Sequence, residues 1–137
     1  MRLTGWLERR TELLYAVLRM VAGFLFACHG AQKVFGVLGG DGVALMSRIG
    51  LAGVIELVGG ALIAVGLFTP YIAFIASGEM AFAYFLAHAP QGFWPILNRG
   101  EPAMFYCFLF LYMAARGAGA FSLDGMLRRT ASPESGG

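Results

Sequence analysis

Six ionisable side chains stand inside stretches that are otherwise apolar: Arg19, His29, Lys33, Glu56, Glu79 and His88. Acids, bases and an imidazole set in a water-poor environment can neutralise one another as ion pairs, pass protons, or hydrogen-bond the headgroup of a small polar ligand such as a quinone. His29 is the one member of the His29, Lys33 and Glu56 trio whose side chain ordinarily titrates near neutral pH. The types also set limits. Cys28 and Cys107 are the only cysteines, with no C-x-x-C pair, so neither a dithiol redox motif nor a zinc pattern is present. A disulfide between them stays open at this level, beside the plainer reading of two small packing residues. His29 and Glu56 offer two ligands where a stable metal site wants three or four, so no metal is assigned. Walker, dinucleotide-fingerprint and nucleophile-elbow motifs are absent.

Four long apolar stretches must position these groups: Glu12 to Phe35, Gly50 to Phe68, Pro70 to Ala89 and Pro102 to Arg116. Each approaches the roughly 20 helical residues that cross a hydrocarbon core of about 30 Å. With 58% hydrophobic and 13% charged residues, the 137-residue chain is far more apolar than a soluble domain. Its partner is the lipid bilayer, and a net charge of +2 is too weak to point to nucleic acid. The expected fold class is all-α, a four-helix transmembrane bundle, with a cytoplasmic flank over residues 1–11, a membrane domain over 12–125 and a disordered polar tail over 126–137. Lys and Arg in the flanks divide six (Arg2, Arg9, Arg10, Arg116, Arg128, Arg129) against three (Lys33, Arg48, Arg99), which places both termini in the cytoplasm. The run ending Leu25-Phe26-Ala27-Cys28 approaches a lipoprotein cleavage box. Bulky Phe26 and the interrupting Arg19 favour a retained helix.

Local signals agree with four helices. Thr69-Pro70 and Glu101-Pro102 read as capping residues before a proline at the first helical position, and Gly36 and Gly66 as helix ends. Asp41 reads as the cap of a short surface helix through Ser47. Phe93 and Trp94, between Pro90 and Pro95, suit a headgroup-level loop. Gly53, Gly59, Gly60 and Ala64 share the Glu56 side of the second span, and Ala73 with Ser77 and Ala83 with Ala87 give small-xxx-small spacings in the third. Such faces permit close helix approach and leave room for self-association.

At about 100° per residue, Lys33 falls near −40° and His29 near −80° from Arg19, so one inward stripe holds all three. Depth then permits Arg19 with Glu79, and Lys33 or His29 with Glu56. One reading of this network is purely structural. In the other, His29, Lys33 and Glu56 form a polar pocket open to the outer face, while His88 simply reaches the headgroups.

The same residues also resemble a family. Arg19 to Gly23, His29-Gly30-Ala31-Gln32-Lys33 with Phe35-Gly36, Ile55-Glu56-Leu57-Val58-Gly59-Gly60, the Gly66 to Pro70 turn, Glu79-Met80-Ala81, His88-Ala89-Pro90, Asn98-Arg99-Gly100-Glu101 and Gly117 to Asp124 are together similar to the DoxX family of small bacterial membrane proteins. The resemblance implies a four-helix, multi-pass protein of the bacterial inner membrane. It also implies that Arg19, His29, Lys33, Glu56, Glu79 and Glu101 occupy the family's polar positions, and that Ser122 and Asp124 belong to its C-terminal motif. The family is named for likeness to a subunit of a thiosulfate:quinone oxidoreductase, and some members are linked to membrane redox complexes or oxidative stress. The expectation is therefore an accessory or anchoring subunit of a membrane redox system, partnered by a soluble or membrane oxidoreductase, with quinone as candidate cofactor and no catalysis by the chain alone. The runner-up is a small-molecule or proton-coupled transporter, and after it a purely structural membrane protein.

Overall fold

In the computed structural model, which describes residues 3–132, every regular element is helical: α1 (Leu3–Glu8), α2 (Thr11–Phe35), α3 (Arg48–Val65), α4 (Thr69–Ala83), α5 (Pro95–Asn98), α6 (Glu101–Arg116) and α7 (Leu123–Ala131). A π-helical turn, Tyr84–His88, and a 3-10 turn, Ala89–Gln91, carry α4 onward. Three segments are long and apolar enough to cross a membrane: Thr11–Phe35, Arg48–Val65 and Thr69–Gln91. The fourth expected span corresponds to α6, whose 16 residues rise about 24 Å.

Helices α2 and α3 form one close pair and α4 and α6 the other, with α3 joining them through α4. Glycine explains the first pair. Gly23 and Gly30, two turns apart on α2, face Gly60 and Gly53 on antiparallel α3. A Cβ added at Gly23 would stand 2.5 Å from the Gly60 carbonyl oxygen, and one at Gly30 2.6 Å from that of Gly53. The backbones are in contact, as small-residue faces allow in a solvent that supplies no hydrophobic drive between helices. Side chains fill the space where the two pairs meet. Phe26, Phe110 and Tyr106 pack as an aromatic cluster with ring centroids 4.8 to 5.6 Å apart, beside buried Ile63, Ala73, Ala76 and Met113. Of the small residues in the third span, Ala73 and Ser77 are buried, whereas Ala87 is exposed.

Helix ends follow local chemistry in some places and distant chemistry in others. Gly36 (φ 65°) and Gly66 (φ 73°) close α2 and α3 in the left-handed conformation, as expected. The segment from Asp41 to Ser47 forms no helix; Ser47 instead caps α3, its hydroxyl accepting the Gly50 N–H at 3.0 Å. Thr69 and Glu101 are first helical residues rather than caps, preceded by Phe68 and Gly100. The disordered tail expected from residue 126 begins as the last part of α7, because Ser122 caps that helix through the Gly125 N–H. Residues 133–137 of the expected tail lie outside the described residues.

Candidate functional site

The polar residues fall into three groups at different levels of the bundle. At the end nearest the termini, Arg19 is 1% exposed and its guanidinium is used up on backbone carbonyls. Nε donates to Ile63 O at 3.0 Å, Nη1 to Ala118 O at 2.5 Å, and Nη2 to Phe121 O at 2.9 Å and Ala64 O at 3.4 Å. The fork supplies a donor to Ala64 O and a second one to Ile63 O, which also accepts the Gly66 N–H, and joins the C-terminus of α3 to the α6–α7 connection. Gly66 leaves the room for this: a Cβ there would meet Ser122 Cβ at 2.5 Å and Arg19 Cζ at 3.0 Å. Asp124 completes the clasp, its N–H donating to Gly66 O and its carboxylate accepting the Phe68 and Thr69 N–H groups. Nearby, Arg116 pairs with Glu12 and lies 3.6 Å above the Tyr15 ring, while Tyr15 donates its hydroxyl to Gly117 O at 2.6 Å.

The expected Arg19–Glu79 pair is therefore not formed. Arg19 is directed at peptide oxygens, and Glu79 has the charges of Glu56 and Lys33 as its neighbours.

The second group is the candidate site. Lys33 on α2 donates to Glu56 Oε1 on α3 at 2.5 Å, with Glu56 1% exposed and the Lys33 side chain 33% accessible. The glycine contact at Gly30 and Gly53 positions the pair. Gly53 lies directly against Lys33, where a Cβ would be 2.7 Å from Lys33 Cβ. Glu79 approaches from α4, and Glu56 Oε2 and Glu79 Oε2 are both enclosed with no hydrogen-bond partner among the described residues. Tyr106 of α6 closes the group, within the fields of Cys28 and Glu56, its ring centroid 6.3 Å from that of His29. His29 itself is exposed on the rim of α2 and donates to no carboxylate, so of the two partners depth allows Glu56, Lys33 is the one bound. Cys28 and Cys107 are free thiols, and the Cys107 carbonyl accepts the Ser77 hydroxyl at 2.7 Å.

The third group lies beyond the π-helical turn. Asn98, fully buried, donates to Gly92 O at 2.8 Å and to the Tyr84 hydroxyl at 3.3 Å, and accepts the Gly100 N–H at 2.8 Å. His88 Nδ1 is 3.0 Å from Asn98 O, so this histidine is held by the loop instead of reaching outward. Glu101 is exposed beside an open apolar groove with Pro102, Phe105 and Phe108.

Of the six expected site residues, the fold gathers Lys33, Glu56 and Glu79, leaves His29 at their edge, and places Arg19 and Glu101 elsewhere. Tyr106 and Asn98 are additions. Each had a signal: a tyrosine in mid-span needs a reason for its hydroxyl, and an asparagine before Arg99-Gly100 suits side-chain capping of a loop.

Comparison with known proteins gives two matches. The family model described as DoxX matches residues 14–89. A protein of Haemophilus influenzae (strain ATCC 51907 / DSM 11121 / KW20 / Rd), described as "Uncharacterized protein", is 45% identical over 125 residues, covering 86% of this chain and 93% of its own. No solved structure matches significantly.

Proposed function

The chain belongs to the DoxX family, and from that premise we propose a four-span protein of the bacterial inner membrane that serves as an accessory or anchoring subunit of a membrane redox system. Its polar site of Lys33, Glu56 and Glu79 takes the headgroup of a quinone. In this reading α6 is the fourth span, lying along α4 and burying Phe110 and Met113 in the bundle. Both termini are cytoplasmic. The flank arginines support that side, as does amphipathic α7, whose exposed Leu123, Met126 and Leu127 adjoin Arg128 and Arg129 in a pattern suited to an anionic headgroup layer.

The observation that carries the reading is the Lys33–Glu56 pair, an ammonium and a carboxylate joined inside an apolar bundle with the Tyr106 hydroxyl and His29 beside it. Quinone carbonyls are acceptors, and Lys33 and Tyr106 are donors of the right kind. Lys33 is the accessible member and the point of entry. The chain supplies binding and anchoring, and electron transfer belongs to the oxidoreductase it accompanies.

The test is affinity purification from native membranes in mild detergent, with proteins and lipid-soluble small molecules identified by mass spectrometry. A stoichiometric oxidoreductase together with bound quinone is the expected result; recovery of the chain alone without quinone overturns it. A proton-coupled carrier is the second reading, favoured by Glu79, which forms no ion pair of its own among the described residues. Reconstituted vesicles that show no pH-dependent flux would remove it.

A further inference from the structure

The placement of Arg19 leaves a charge imbalance around Glu79. Two carboxylates, Glu56 and Glu79, lie within electrostatic reach of each other and, among the described residues, of one ammonium, Lys33, which is bonded to Glu56 Oε1. Among the described residues, Tyr106 of α6 is the titratable neighbour of Glu56, with Cys28 and His29 of α2 beside it, and none of these supplies a fixed positive charge. Glu56 is 1% exposed, yet its Oε2 has no hydrogen-bond partner among the described residues, and the same holds for the enclosed Oε2 of Glu79. Two enclosed acceptor oxygens without a protein donor require one from another source.

We propose that Glu56 and Glu79 form an intramembrane site for one proton, held on the carboxylate pair beside Lys33. Uptake converts one carboxylate to a carboxylic acid, with no electron transferred. The new O–H supplies a donor where both free oxygens need one, and the cluster becomes neutral, which the low-dielectric interior of a membrane bundle favours. A proton suits the geometry better than a metal ion: among the described residues no three His, Cys, Asp or Glu side chains converge on a common point. Lys33, one third of whose side chain is accessible, is the open edge of the cluster. This deepens the reading of the polar site above, since a stored proton next to a quinone headgroup is also a hydrogen-bond donor to it. It does not depend on quinone being the ligand.

The full chain, purified without added quinone and reconstituted in lipid nanodiscs, tests this by pH-difference infrared spectroscopy with 13C-labelled glutamate. The expected spectrum at neutral pH contains the carbonyl stretch of a protonated glutamic acid, which disappears as pH is raised and is missing from Glu79→Gln. Because the wild-type titration alone shows the band, the result stands even if the variant folds poorly. Dicyclohexylcarbodiimide, which modifies protonated carboxyls in apolar surroundings, should label Glu79 or Glu56, and rising pH should suppress that labelling while sodium does not. Absence of the infrared band throughout the range where the protein stays folded overturns the proposal, and protection by sodium at constant pH replaces the proton with a metal cation. Quinone binding is read separately by mass spectrometry, so failure of one claim is distinguishable from failure of the other.

Discussion

The carboxylate of Asp124 accepts the backbone N–H groups of Phe68 and Thr69 at 2.9 and 3.0 Å, so a residue beyond the last long helix starts the third membrane helix. Phe68, held at φ 53°, cannot cap α4 with its own side chain, and Asp124 does so from 55 residues away. The negative charge also suits the positive end of the helix dipole.

Asp124→Ala should therefore destabilise the folded protein by about 1–2 kcal/mol, and Asp124→Asn, which keeps one acceptor, by less. Thermal unfolding in detergent, followed by loss of the monodisperse peak, measures both. Equal stability of all three proteins would show that the cap contributes nothing.

Arg19 is predicted to be a structural residue with a large effect. Arg19→Ala leaves the buried Ala118 carbonyl without a donor and removes one from Phe121 O, while Ile63 O keeps the Gly66 N–H; the cost is on the order of 1–3 kcal/mol for each group that water cannot reach. Arg19→Lys recovers only part of this, because an ammonium cannot reproduce the planar fork. The same unfolding assay should rank wild type above Lys and Lys above Ala.

Glycine substitutions separate contact from propensity. Gly60→Ala forces a methyl to 2.5 Å from the Gly23 carbonyl oxygen and should cost about 1–3 kcal/mol by pushing α2 from α3. Gly78→Ala meets nothing within 4 Å in the same kind of helix and should leave stability unchanged or slightly raised. Unfolding midpoints that fall equally for both would contradict the close α2–α3 approach.

These predictions also mark what the sequence could reveal. Gly36 and Gly66 were legible as helix ends because a left-handed closing residue is a local requirement. Lys33 with Glu56 was legible as one of two pairings, His29 with Glu56 being the other, because helical period and depth limit which side chains can meet. Arg19 was not, since its partners are peptide carbonyls, which a search for opposite side-chain charges overlooks. Thr69 and Glu101 looked like caps because a polar residue before proline usually is one. Each lies one position inside its helix, and the true cap of α4 comes from a distant segment. Glu101 then stays exposed, while the glycine-set contact between α2 and α3 brings Lys33 to Glu56, and the packing of α4 on α3 adds Glu79.

Removing Lys33 should reveal the weight of its pair. Lys33→Met leaves Glu56 buried without its cation and should cost about 3 kcal/mol, whereas the double exchange Lys33→Glu with Glu56→Lys restores the pair and most of the stability. Co-purified quinone should not return with it, because the accessible donor then becomes an acceptor. Full recovery of stability, bound quinone and oxidant resistance in the exchanged protein would assign the pair a structural role alone.

The most direct measurement is photo-crosslinking of the purified full chain in lipid nanodiscs with an azido-quinone, mapped by mass spectrometry with and without excess native quinone. The account predicts adducts concentrated at Lys33, His29 and Tyr106 that native quinone competes away. Labelling spread over lipid-facing side chains such as Phe24, Phe74 and Phe108, unaffected by competitor, would contradict it.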